Sequence, residues 1–310
     1  MAQSPANLIV NGGAEDGNGK SITGWGFRSG GLTSDQLTWG VSPDASEGKH
    51  SFQISVLQPV PAQTWWAQEF LLPANAKSVQ VSFAAKQKTD VSRTKWAVPS
   101  VGCWFLDKSG KWIVYQSLRE VVPSDAWVTY RTVANVPEGA ARMGVRLNVG
   151  SLGVIDALFD DVRAVPLEWT VKRTGGTDKQ AVADVITDAA DSKRSLHLAS
   201  VDSLDPIHVA WTRATPVTPG ITRYTISLKA KVRDGAGDSH ADATMGYAFL
   251  DDKRHEIGYQ PFAIVTGKDW HTYAVKVVAP AGTALIEARL CLDGTGESDA
   301  YFDSLSVLPE

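Results

Sequence analysis

Two cysteines in 310 residues are too few for a disulfide framework. Cys103 and Cys291 fall in different halves of the chain, inside segments that read as strands, so both are expected as buried free thiols. Long apolar runs are missing as well. No stretch approaches the roughly 18 consecutive apolar residues of a membrane-spanning helix, and Met1-Ala2-Gln3-Ser4-Pro5 lacks the apolar centre of an export signal. The expectation is a chain that does not cross a membrane and is secreted or displayed at the cell surface, its leader removed and Met1 added as a start. Positive charge is not in excess either. A net charge of -4, with both signs scattered, leaves no basic stripe to neutralise a phosphate backbone and excludes nucleic acid as a partner.

Catalytic constellations are also absent. The six histidines, His50, His197, His208, His240, His255 and His271, show no metal-ligand spacing. Asp160-Asp161 and Asp251-Asp252 alternate faces or lie in turns, so neither pair is placed to flank one scissile bond. Gly30-Gly31 and Gly175-Gly176 are turn glycines and do not form a phosphate loop. No catalytic residue is assigned, and the chain does not read as an enzyme.

What is present is a repeat. The length is about twice that of a common domain, roughly 100 to 150 residues, and the chain aligns with itself. An offset of 144 matches Trp25 to Trp169, Ser51 to Ser195, and Gly102, Phe105, Leu106 and Asp107 to Gly246, Phe249, Leu250 and Asp251. An offset of 143 then pairs Trp127-Val128-Thr129-Tyr130 with Trp270-His271-Thr272-Tyr273 and continues to Pro166, with 14 of 40 positions identical and no gap. The chain therefore divides into residues 1–166 and a diverged second copy, 167–310.

Within each copy, apolar and polar residues alternate at period two, which is the signature of half-buried strands. Val79, Val81, Phe83 and Ala85 form one such face, and Tyr224, Ile226, Leu228 and Ala230 form its partner in the second copy. Turn signals such as Lys108-Ser109-Gly110 and Pro280-Ala281-Gly282 separate these runs. Only Asp178 to Ala190 offers a weak helical period. The fold class is all-β, with a sandwich of jelly-roll type in each copy.

Asn7-Leu8-Ile9-Val10-Asn11-Gly12-Gly13-Ala14-Glu15, Gly24-Trp25, Glu47-Gly48-Lys49-His50-Ser51 and Phe159-Asp160-Asp161-Val162 occur in that order. Together they resemble the galactose-binding-domain-like jelly-roll carbohydrate-binding modules attached to xylanases and cellulases, here in tandem. Two departures stand out: Ala14 replaces an aromatic residue usual in that family, and the second copy has no Asn-Gly-Gly-x-Glu lead-in. The resemblance implies non-catalytic binding of a plant or microbial polysaccharide by a monomeric targeting region of a larger secreted enzyme. It also implies a structural calcium ion in the first copy, held by Glu15, Asp160 and main-chain oxygens near Gly13 and Lys49, a donor set suited to a hard cation. The second copy keeps Asp303 but has no counterpart of Glu15. The same fold also carries adhesion or protein-interaction modules and polysaccharide lyases or hydrolases, and both alternatives stay open.

Sugar binding needs flat apolar rings and planar hydrogen-bonding groups, and the chain has 11 tryptophans. Trp25/Trp169, Trp66/Trp211 and Trp127/Trp270 recur between copies and read as shared core. Trp39, Trp65, Trp96, Trp104 and Trp112 do not recur; they stand opposite Ala183, Ala210, His240, Ala248 and Glu256. A core site would not trade Trp for Ala without a cavity costing roughly 3 to 5 kcal/mol, so these five are expected at a surface or cleft. Trp104 alternates with Cys103 and Phe105 and faces outward, as do Arg146 and Asn148 beside Leu147. These seven residues are the candidate sugar contacts, and a contact between the two copies stays open for Trp104 and for Arg146, which recurs as Arg289.

Overall fold

The computed structural model describes residues 6–59, 61–87, 98–150, 153–174, 180–200, 206–233 and 241–310. Among these there is no helix. The chain divides into two compact units, Met1–Leu167 and Glu168–Glu310.

The first unit contains β1 (Gly17–Asn18), β2 (Ser21–Ile22), β3 (Gly26–Arg28), β4 (Leu37–Ser42), β5 (Ser51–Val56), β6 (Gln63–Leu71), β7 (Ser78–Gln87), β8 (Pro99–Leu106), β9 (Trp112–Glu120), β10 (Ser124–Asn135), β11 (Arg142–Gly150) and β12 (Ile155–Leu167). The second contains β13 (Thr170–Thr174), β14 (Ala181–Ile186), β15 (Ser195–Ser200), β16 (Ile207–Pro216), β17 (Arg223–Arg233), β18 (Asp242–Leu250), β19 (Glu256–Ile264), β20 (His271–Val278), β21 (Leu285–Gly294) and β22 (Ser298–Pro309).

Unit 1 pairs a sheet β3-β6-β11-β8-β9 with a sheet β10-β7-β12-β5-β4. Unit 2 repeats the strand order as β13-β16-β21-β18-β19 and β20-β17-β22-β15-β14. Each sheet buries one face, so inward side chains alternate with outward ones. In unit 1 the inward set includes Trp66, Phe52, Phe83, Phe105, Leu147 and Phe159, all buried. Trp211, Tyr224, Leu290 and Phe302 hold the matching core of unit 2. Cys103 and Cys291 are free and buried, and burial pushes both thiols up to about 12.

The weak helical period near Asp178 resolves into strand β14. Ala181, Ala183 and Val185 face inward there at period two, opposite Ser200, Leu198 and Leu196 of β15. Tertiary pairing overrides a marginal helical pattern.

Candidate functional site

The outer face of the sheet β3-β6-β11-β8-β9 collects most of the predicted contacts. Leu147, Trp66 and Val101 align across the sheet and are buried, so their neighbours point the other way. The outward rows run Trp65, Asn148, Ser100; then Ala67, Arg146, Gly102; then Glu69, Gly144, Trp104, Tyr115; then Leu71, Arg142, Leu106, Trp112. Successive rows are about 7 Å apart along β11, at two residues of roughly 3.4 Å each.

Two glycines shape this surface. A Cβ on Gly144 would lie 2.0 Å from Cζ2 of Trp104, so the indole lies flat on the strand where β11 has no side chain. A Cβ on Gly102 would lie 2.0 Å from the Tyr115 hydroxyl oxygen, so the phenol crosses β8 in the same way. Among the described residues no ring or cation stacks on Trp104, which stays partly exposed.

Arg146 sits beside these rings. Its Nε donates to the Tyr115 hydroxyl at 3.1 Å, and its guanidinium carbon lies 4.1 Å from the Tyr115 ring centroid and 5.3 Å from that of Trp65. Such stacking fixes the plane of the fork while leaving its terminal amino groups free for a ligand. Asn148 is only 6% exposed, and its Nδ2 lies 3.4 Å from Ser100 Oγ. Its Oδ1 is buried without a hydrogen-bond partner. An orphaned acceptor of this kind costs about 1–3 kcal/mol unless a ligand or water satisfies it.

The structure thus brings Trp65, Trp104, Arg146 and Asn148 onto one face, with Trp112, 56% exposed, at its end opposite Leu106. Trp96 lies outside the described residues. Trp39 is a correction. It stands on edge strand β4 of the opposite sheet, stacked on Phe27 at 4.8 Å with Lys20 Nζ 3.9 Å from its ring centroid. It packs against the core, with both faces occupied. Both members of that stack are smaller in unit 2: Ala183 stands for Trp39, and Phe27, opposite Trp66, corresponds to Val171, opposite Trp211.

The recurrent pair Trp127/Trp270 is a second correction. These rings are half-buried, and Trp127 Nε1 donates to Asp44, which also takes Lys86 at 2.7 Å. Trp270 likewise hydrogen-bonds Asp188, the partner of Lys231. The repeat preserves a Trp–Asp–Lys clasp here, not a core ring. Tyr115 is the site residue that the tryptophan comparison passes over, because Tyr259 recurs opposite it. Its register with outward-facing Trp104 is the signal that finds it.

At the lead-in, Glu15 and Asp160 converge. Glu15 Oε1 accepts from the backbone N–H groups of Lys49 and His50 at 2.9 and 3.0 Å, and the Lys49 donor holds its carboxyl below the usual range. Asp160 accepts from Ser46, Glu47 and Asp161, yet burial pushes its carboxyl up. A Cβ on Gly13 would lie 3.2 Å from Asp160 Oδ1 and 3.8 Å from Glu15 Oε1, so both carboxylates border the space over Gly13. Asp303 of unit 2 differs. Burial works against its charge, but N–H donors from Ala190, Asp191, Ser192 and Ser304 and the Ser192 hydroxyl outweigh it and hold the carboxyl low.

The matching outer face of unit 2 keeps only part of the pattern. Gly246 seats the Tyr259 hydroxyl, 2.4 Å from the glycine's would-be Cβ, and Arg289 lies 5.2 Å from the Tyr259 centroid. Trp104 on Gly144 becomes Ala248 beside Glu287, while Trp65 becomes Ala210 and Asn148 becomes Cys291. Glu287 and Glu256 hold the Arg289 guanidinium, at 2.9 Å to Nε and 2.7 Å to a terminal nitrogen, and Lys172 adds to Glu287 at 3.1 Å.

Against known proteins, no family model matches the chain and no curated protein matches it. Solved structures do. The tandem CBM22-1–CBM22-2 domain of Paenibacillus barcinonensis Xyn10C is similar over 100% of this chain and 99% of its own, at 15% identity and a TM-score of 0.43. The CBM22-1 xylan-binding domain of the same protein is similar over 54% of this chain and 99% of its own, at 15% identity and a TM-score of 0.38. The enzymatically active domain of tailspike protein 4 from bacteriophage CBA120 is similar over 52% of this chain and 21% of its own, at 22% identity and a TM-score of 0.42. At these identities and TM-scores, function is left to the residues of the site.

Proposed function

We propose that unit 1 binds a polysaccharide, without catalysis, on the outer face of the sheet β3-β6-β11-β8-β9. The observation that carries this reading is the partly exposed Trp104 ring laid on Gly144, next to the fork of Arg146 on the same outward face. A sugar ring presents an apolar C–H face bordered by hydroxyls. The indole takes the first and the arginine donates to hydroxyl oxygens, with Asn148 bordering the arginine. Trp65 and Trp112 extend the surface on either side of Trp104, across rows that span about 20 Å along the strand. Affinity electrophoresis against xylan, β-glucan, mannan and alginate tests the reading. Retardation in at least one gel, lost in Trp104→Ala, is the expected outcome; no retardation in any gel overturns it.

The residues at the lead-in fit a calcium ion in unit 1. Asp160 is a fully buried carboxylate with no cationic side chain among its contacts in the described residues, and Glu15 borders the same space over Gly13. A bound cation would supply the charge that burial of Asp160 lacks, with main-chain oxygens near Gly13 and Lys49 completing the shell. Asp303, already held by N–H donors and with no second carboxylate in Glu15's place, does not call for one. Its role in unit 1 is structural: it ties the lead-in to the last strand.

A further inference from the structure

The two copies treat one arginine differently, and the difference points to the ligand's charge. Arg146 and Arg289 occupy the same place: each is outward on the equivalent strand, opposite a glycine that seats a tyrosine hydroxyl, and each guanidinium stacks on that tyrosine. In unit 2 the position shows what it takes, which is carboxylate oxygen. Glu287 reaches Nε from the position of Gly144, and Glu256 reaches a terminal nitrogen from the position of Trp112. In unit 1 both carboxylates are gone, replaced by nothing on Gly144 and by an indole at Trp112. Among the described residues no carboxylate pairs with Arg146, whose only hydrogen bond is Nε to Tyr115. Glu69, the acid in the row of Trp104, is paired to Arg142 at 2.5 Å, and Glu120, in the row of Asn148, has a partner of its own. Exposed Arg28, in register with Trp65, adds a second cation with no carboxylate partner among the described residues.

We propose that unit 1 selects a polysaccharide bearing carboxylates, a uronate-containing chain, and that Arg146 receives the carboxylate. This rests on the glycan-binding reading of the same face. A ring stacked on Trp104 has Arg146 one row away, within reach of a substituent at its edge. The arginine is already oriented by Tyr115 and Trp65, so little side-chain freedom is lost when the carboxylate arrives. The attraction is local, since the whole chain carries a net charge of -4 and repels a polyanion elsewhere.

The test compares the full chain on polygalacturonate, alginate and dextran sulfate, on pectin whose carboxylates have been fully methyl-esterified, and on neutral xylan, β-glucan and mannan. Retention by one or both uronate polymers, weakened about tenfold or more by esterification and by Arg146→Gln, is the expected result. Arg146→Lys, which keeps the charge and loses the planar fork, falls between. Thermal unfolding of each variant confirms that the fold is kept. Equal retention on the esterified and free polymers, or retention by a uronate polymer that survives Arg146→Gln, overturns the carboxylate assignment. So does equal retention on dextran sulfate, or binding confined to neutral polymers, while the glycan-binding reading stands. Retention by none of the polymers, neutral ones included, overturns both.

Discussion

The two units share strand order, a buried tryptophan at Trp66 or Trp211 and a tyrosine–arginine stack, yet one outer face is open and aromatic and the other is closed by its own ion pairs. A duplicated scaffold separates what folding requires from what the surface is free to change. Inward positions stay apolar, with Trp66 and Trp211 keeping their place while Trp39 and Phe27 shrink to Ala183 and Val171. Outward positions exchange Trp104 for Ala248 and Gly144 for Glu287 as a pair, because a carboxylate on the glycine and a ring above it cannot occupy one place.

The largest expected effect separates core from platform. Trp66→Ala and Trp211→Ala each destabilise their unit by about 3–5 kcal/mol through cavity formation. Trp104→Ala, on the outer face, leaves the unfolding midpoint within a few degrees of wild type and removes glycan retention. Thermal unfolding beside affinity electrophoresis measures both, and a Trp104→Ala chain as unstable as Trp66→Ala would place that ring in the core.

Charge on the other sheet sharpens the contrast next. His197 donates to Asp184 at 2.7 Å and to Asp299 at 3.0 Å, whereas unit 1 has neutral Gln53 bonded to Asp156 at the same place. Burial opposes the imidazolium, but hydrogen bonds to the two aspartates outweigh it and raise His197 to about 9 from an ordinary 6.5. The stabilisation is therefore fully present below pH 6.5 and lost as pH rises through about 9, on the order of 3 kcal/mol in all. Unit 2 should unfold at lower temperature at pH 9.5 than at pH 6, and His197→Gln should abolish that dependence. A pH-independent unit 2 transition in wild type would contradict the account.

Calcium gives a smaller difference. Addition of calcium after chelation should stabilise unit 1 by about 2–3 kcal/mol at 100-fold excess over its Kd, and Asp160→Asn should remove that gain. Asp303→Asn should cost about 2 kcal/mol with or without calcium, because it disturbs a carboxylate already held by N–H donors. A calcium shift that disappears in Asp303→Asn, not in Asp160→Asn, would reverse the assignment.

Much of this arrangement was legible in the residues. Period-two alternation placed Trp104, Arg146 and Asn148 on an outward face, since parity within a strand follows from the pleat alone. The limit lay in contacts between strands. Trp39 looked surplus because Ala183 stands opposite it, but Phe27 and Val171 change in step, and one-position comparison cannot see paired shrinkage. Trp127 and Trp270 recur for a hydrogen bond to Asp44 and Asp188, which sequence identity alone does not distinguish from burial. The glycine seats under Trp104 and Tyr115 depend on register between strands, so they appear only once the sheets are built.

The seat of the Trp104 ring offers the most direct measurement. The backbone at Gly144 is open to alanine, lacking a left-handed φ, and the atom its Cβ meets is the far end of a movable side chain. Calorimetric titration of wild type and Gly144→Ala with the same retained polysaccharide should therefore show affinity falling about tenfold, or 1.4 kcal/mol, at an unchanged melting temperature. Equal affinity in the two chains would contradict a ligand surface built on that ring.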